Sequence, residues 1–216
     1  MISHPHRTVF VHIPKCGGQS IETAFLADLG LGWKSRAPLL MGANDRPELG
    51  PPRLSHLKAR DYVAHHWMSA ELWAAYFSFA LVRDPFARVL SMYNYRGGGK
   101  SLRHFVSQEL TGAFAAGDAD PMYYFYRPQV DFIQDAGGMP LVDRVFRLEA
   151  LETAMGEIRA ASGLKAAVPH ANVSPRRAEI GDLSSEDIAI VRALYEADFE
   201  ALGYADVPGE SQAASD

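Results

Sequence analysis

Two short stretches of the chain concentrate groups that bind anions. The first, Pro14-Lys15-Cys16-Gly17-Gly18-Gln19-Ser20, follows the apolar run Val9 to Ile13 and precedes Ile21, Ala24, Phe25 and Leu29 at helical spacing. A loop that opens a helix presents free amides, and the helix dipole favours negative charge there. Gly17 and Gly18 let the backbone curl closely around phosphoryl oxygens. Lys15 adds a mobile positive charge and Ser20 a hydroxyl donor, while Gln19 offers its side chain or only its amide. The competing reading is an ordinary turn with a solvated lysine. Lys15 precedes the glycines, so the Walker pattern G-x-x-x-x-G-K-[ST] is absent, as is the dinucleotide pattern G-x-G-x-x-G. A conventional P-loop kinase and a Rossmann oxidoreductase are therefore disfavoured.

The second stretch, Arg83-Asp84-Pro85-Phe86-Ala87-Arg88-Val89-Leu90-Ser91-Met92-Tyr93, repeats the logic after the apolar run Phe77 to Val82. Arg83 falls where loops above parallel strands converge in open α/β sheets, and its planar fork suits bidentate contact with a phosphate. Ser91 could complete that contact, and Asp84 could order the turn or pair with an arginine. The competing reading makes Arg88 a solvated helix residue and Ser91 a satisfied hydroxyl. Basic centres at two strand ends suit a ligand with two phosphates, and a nucleoside 3′,5′-bisphosphate has that shape.

These stretches need elements to position them. Strands are expected at Val9–Ile13, Phe77–Val82 and Val142–Leu148, with helices after each of them and at Ser69–Tyr76. Pro85 stands near the start of one helix, where its missing amide is harmless, and Gly97-Gly98-Gly99 ends it. Segments 101–116 and 121–136 read as helical or mixed. Ser184 with Asp187 reads as a cap for a helix carrying Ile188, Val191, Leu194, Tyr195, Phe199 and Leu202. Residues 30–60, with Pro38, Pro47, Pro51 and Pro52, read as a long irregular excursion. Strands alternating with helices predict an α/β sandwich with a largely parallel sheet.

The 216 residues suffice for one domain, expected over 1–207, with 208–216 as a frayed tail. A formal net charge of -5 argues against a broad nucleic-acid-binding surface. Cys16 is the only cysteine, which excludes an intrachain disulfide and a thiolate zinc site and fits a reducing, cytoplasmic compartment. No signal-peptide stretch and no run of about 18 apolar residues is present, so no membrane span is expected. Oligomeric state is left open.

The two stretches together resemble a known family. HIPKCGGQSI is similar to the 5′-phosphosulfate-binding loop of the carbohydrate-type sulfotransferases (sulfotransferase family 2, heparan sulfate 2-O-sulfotransferase-like), usually written HIPKTGGTS. LVRDPFARVLSMYNY resembles their 3′-phosphate-binding segment, usually RxPxxRxxSxY. The likeness continues through Phe132-Ile133, VFRLEALE, PHANVS and LYEADFEALGY, spanning about Val9 to Tyr204.

The resemblance implies a three-layer α/β sandwich with a mostly parallel central sheet, the P-loop nucleotide-kinase-like sulfotransferase fold. It implies 3′-phosphoadenosine 5′-phosphosulfate (PAPS) as donor, adenosine 3′,5′-bisphosphate as product and no metal. Lys15 would contact the transferring sulfuryl group, while Lys15, Cys16, Gly17, Gly18, Gln19 and Ser20 would enclose the 5′-phosphosulfate. Arg83 and Ser91 would hold the 3′-phosphate. The acceptor would be a hydroxyl of a glycan or a small carbohydrate-containing metabolite. Cys16 and Gln19 replace the two threonines of the usual loop, which keeps a catalytically weakened nucleotide-binding protein as the alternative; a phosphoryl-transferring nucleotide kinase is the more distant one.

Transfer to an alcohol needs a base, and histidine titrates in the right range. His65 and His66, in VAHHWMSAEL, occupy the region where members of this family carry a histidine, and His66 matches that placement better. His12 reads as structural. Arg147 and Glu149 match a family RxE segment, either as a strand-end bridge or in the pocket. Asn172, Ser174, Arg176 and Arg177 read as a polar flap or a solvated loop. Tyr93, Tyr95, Tyr123, Tyr124, Tyr126 and Trp67 supply aromatic faces, more of them core than stacking platforms.

Overall fold

The computed structural model describes residues 1–36, 55–96, 98–169 and 177–208. Most of the proline-rich excursion (Pro38, Pro47, Pro51 and Pro52), Gly97, His170, Asn172, Ser174, Arg176 and the tail from residue 209 lie outside the described residues.

Four strands form one sheet in chain order: β1 (Ile2–Ser3), β2 (Thr8–Val11), β3 (Phe77–Val82) and β4 (Arg144–Arg147). β1 runs antiparallel to β2, whereas β2, β3 and β4 are parallel, with Val11 opposite Ala80 and Val82 opposite Arg147. The principal helices are α1 (Gly18–Asp28), α2 (Ala59–Ala64), α3 (Ala70–Ala75), α4 (Pro85–Arg96), α5 (Leu151–Ser162), α6 (Ser185–Leu194) and α7 (Glu196–Leu202). The fold is thus α/β with a mostly parallel sheet, as the alternation of elements predicts.

The element boundaries differ from the sequence expectation where local pattern is weakest. β2 stops at Val11, two residues before Ile13, because the chain turns away from β3 to build the loop. The short β1 pairs with it through residues that periodicity could not flag. The long C-terminal helix is broken at Tyr195, which caps α6 and precedes α7. Ser184 and Asp187 do form the expected reciprocal cap: the Ser184 hydroxyl accepts from the Asp187 amide and the Asp187 carboxylate from the Ser184 amide.

The described residues group into two compact units. The first comprises those within Met1–Val82 and Asp131–Val173, and contains the sheet. β3, FSFALV, is buried from Ser78 onward, as a strand with parallel neighbours on both edges must be. Phe10 and Phe79 meet at 4.9 Å between ring centroids, and Ile21, Phe25 and Ile158 are fully buried. Each such side chain contributes about 2 kcal/mol by leaving water. Asp143 registers the approach to β4 by accepting from both the amide and the hydroxyl of Ser78, each at 2.8 Å.

The second unit comprises the described residues within Arg83–Val130 and Ser174–Asp216. Its core centres on the buried face of α4, where Phe86 meets Phe199 of α7 and Tyr93 meets Phe105. A helical stretch from Leu102 to Ala116, with π-type turns over Phe105–Leu110, supplies further core residues.

Candidate functional site

The loop between β2 and α1 is shaped by backbone conformations that only a few residue types tolerate. Lys15 lies in the left-handed region at φ 66° and Gly17 at φ 76°. A lysine there costs about 1 kcal/mol, strain of the kind that accumulates at binding loops. Gly17 is required twice over, because a Cβ would also lie 2.6 Å from the Leu148 side chain. At Gly18 a Cβ would lie 2.1 Å from the His12 ring.

That ring is fixed. His12 Nδ1 donates to Glu22 Oε1 at 2.9 Å, and the His12 carbonyl accepts from His56 Nδ1 at 3.0 Å. The His12 and His56 rings meet edge-on at 4.5 Å. Burial pushes the Glu22 carboxyl upward, but the charge and hydrogen bond of His12, with the N-terminal amine and Arg36, together hold Glu22 below its ordinary value. His12 is therefore structural, as expected, and it forms the wall behind Gly18. Glu22, His56 and Leu148 are the residues that sequence reasoning missed. The one available signal was a glutamate on the buried stripe of α1, one residue after Ile21.

The start of α1 suits an anion. No side chain caps it and its first turn carries no acidic residue. The Cys16 amide bonds to the Ile13 carbonyl and the Ser20 amide to Gly17, whereas the amides of Gly17 and Gly18 have no hydrogen-bond partner among the described residues. Cys16 is buried and its thiol donates to the Pro14 carbonyl, so its side chain serves the loop. Ser20 is buried, while Lys15 and Gln19 are half-buried.

The second stretch is built differently. Asp84 orders the turn: its Oδ1 accepts from the Ala87 amide at 2.8 Å, and its carbonyl accepts from Arg88 at 2.8 Å. Arg88 is not a solvated helix residue. It is completely buried and donates to the carbonyls of Arg127 and Phe125 at 3.0 and 3.3 Å, with its guanidinium 5.8 Å from the Tyr195 ring centroid. Arg83 is half-buried, and its main chain is held on both sides by Gln129. The half-buried Ser91 hydroxyl has no hydrogen-bond partner among the described residues, which leaves it available to a ligand.

His65 and His66 cap the end of α2, and both are exposed. Their amides close the helix on Asp61 and Val63, and His66 is left-handed at φ 58°. Neither imidazole has a hydrogen-bond partner among the described residues. The next residue, Trp67, buries its indole nitrogen with no hydrogen-bond partner among the described residues. Of the other aromatic candidates, Tyr93 donates to the Lys100 carbonyl and packs on Phe105, and Tyr126 is buried; both are core. Tyr95 is the most exposed tyrosine of the set. Arg147 ends β4 and Glu149 lies in the turn that follows; the residue between them, Leu148, is the one that limits Gly17. Arg177 is exposed, and its amide is held by Asn94 Oδ1.

No group of metal-ligating side chains is found among the described residues, and no described helix is long and apolar enough to cross a membrane. Comparison with known proteins gives one family. Its model, described as the sulfotransferase family, matches residues 1–126, more than half of the chain and inclusive of both the glycine loop and the Arg83 stretch. No curated protein and no solved structure matches. The chain therefore belongs to the sulfotransferase family, whose chemistry is sulfuryl transfer.

Proposed function

We propose that this chain uses PAPS to sulfate a hydroxyl of a carbohydrate or a carbohydrate-containing metabolite, with residues 1–207 serving as one domain. The observation that carries this reading is the start of α1, where two glycine amides with no partner among the described residues follow a strained lysine in a sulfotransferase-family chain. Amides, a lysine and no acidic residue in the first turn fit a phosphosulfate. The donor supplies an activated sulfuryl group on a phosphate leaving group.

The residues divide the work. The amides of Gly17, Gly18 and Gln19 and the hydroxyl of Ser20 bind the 5′-phosphosulfate, and Cys16 shapes the loop around it. Arg83 and Ser91 hold the 3′-phosphate. His66, or its neighbour His65, takes the proton of the acceptor hydroxyl as its oxygen bonds to sulfur. Lys15 stabilises the charge that develops on the phosphate oxygen as the sulfur–oxygen bond breaks. Base and electrostatic stabiliser are thus separate groups.

Calorimetry with adenosine 3′,5′-bisphosphate and ATP tests the donor. Preference for the bisphosphate, weakened in R83A, supports the reading, and equal or tighter ATP binding sinks it. Labelled PAPS with a panel of glycans and metabolites then tests turnover. H66A should lose about 100-fold in rate. Full activity of H66A shifts the base to His65, and bisphosphate binding without turnover on any acceptor favours the nucleotide-binding alternative.

A further inference from the structure

We propose that Gln129 is the positioning residue that sets Arg83 for recognition of the donor's 3′-phosphate; this rests on the donor reading above. Arg83 is the first residue after β3, and a side chain from 46 positions away holds both of its main-chain polar groups. Its amide donates to Gln129 Oε1 and its carbonyl accepts from Gln129 Nε2, each at 2.8 Å. The carboxamide replaces a partner strand at the point where the chain leaves the sheet.

The clamp is itself clamped. Gln129 is fully buried; its amide donates to Asp198 Oδ2 at 2.9 Å, and Nε2 lies 3.2 Å from the same oxygen. Asp198 Oδ1 accepts from the Val130 amide at 3.0 Å, and Asp198 is fully buried. The pattern fixes the carboxamide orientation, because Nε2 has two acceptors and Oε1 has a donor. Arg88 holds the incoming segment through the carbonyls of Phe125 and Arg127. A guanidinium fork reads a phosphate only when its base is held within a fraction of an ångström.

Helix architecture alone does not demand this arrangement. Asp84 already caps α4 by accepting from the Ala87 amide. The Gln129 bonds fall on Arg83 instead, one residue earlier, where the candidate phosphate ligand sits.

The test compares adenosine 3′,5′-bisphosphate with adenosine 5′-monophosphate, which lacks the 3′-phosphate, by calorimetry on the full chain. The readout is the ratio of the two affinities. Q129M, which keeps the volume and removes both bonds, should lower that ratio about 10-fold while leaving monophosphate affinity within about 2-fold of wild type. R83A should lower it by about 10- to 100-fold, and R83A/Q129M should fall no further than R83A. A Q129M ratio equal to wild type overturns the proposal, as does equal weakening of both nucleotides, the signature of a merely structural role. A wild type that does not discriminate between the nucleotides overturns the donor reading itself. Should Q129M not fold, Q129N keeps a neutral carboxamide but is one methylene too short to reach both Arg83 main-chain groups. It should lower the ratio about 3-fold, and an unchanged ratio in folded Q129N overturns the proposal equally.

Discussion

The loops that follow β2 and β3, the two candidate anion sites, are built by opposite constructions. The first is made of backbone: left-handed residues, two glycines pressed against His12 and Leu148, and an uncapped helix start. The second is made of side chains, with Gln129, Asp198 and Arg88 buried behind Arg83 and Asp84. A backbone cradle can wrap a tetrahedral group closely and offer amides that never change charge. A guanidinium on a supported strand end instead acts at longer reach and depends on what holds its main chain. The difference teaches that one local sequence can suffice for the first kind of site but not for the second.

Four substitutions break or sharpen this contrast. K15A removes the only charge in the backbone cradle and should cost about 100- to 1,000-fold in turnover with labelled donor, while bisphosphate affinity falls far less. A loss confined to affinity would make Lys15 a binding residue only. G18A drives a methyl into the His12 ring, which Glu22 holds in place, and should cost about 1–3 kcal/mol in a denaturant titration along with bisphosphate binding. Unchanged stability would mean that the His12 wall yields.

D84A removes the cap of α4 and should cost about 1 kcal/mol while leaving the preference for a 3′-phosphate intact. Loss of that preference would merge the helix cap with the phosphate site. E22Q has the smallest effect and an informative pH dependence. The Glu22 carboxyl is held below its ordinary value of 4.5, so its pairing stabilises the fold above that pH. The contribution is lost as pH falls through the lower folded value. E22Q should therefore melt below wild type at pH 7, with the gap closing as the pH drops under 4.5. A gap that widens in acid would contradict the His12–Glu22 assignment.

The backbone cradle was legible because glycine, lysine and proline declare their conformational roles within a few residues. β3 was equally legible, since an unbroken apolar run is what a doubly flanked parallel strand requires. Arg88 was not: a helix position gives no sign that its guanidinium will be enclosed and satisfied by carbonyls 37 and 39 residues away. Nor was the break at Tyr195, whose hydroxyl donates to the Tyr126 carbonyl at 2.6 Å. Periodicity reports which face is buried but not which distant main chain a polar side chain will meet.

Sequence by itself determined the chain's α/β class, the position of the glycine loop between a strand and a helix, and the family resemblance to the sulfotransferases. These depend on local backbone preference and on patterns only a few residues long. Tertiary structure decided that His12 and Glu22 wall the cradle, that Arg88 is interior, and that Gln129, itself held by Asp198, grips Arg83. Each of those depends on pairing buried polar groups across long stretches of chain. Burial makes an unpaired polar group costly, but only the folded chain determines which partner satisfies it.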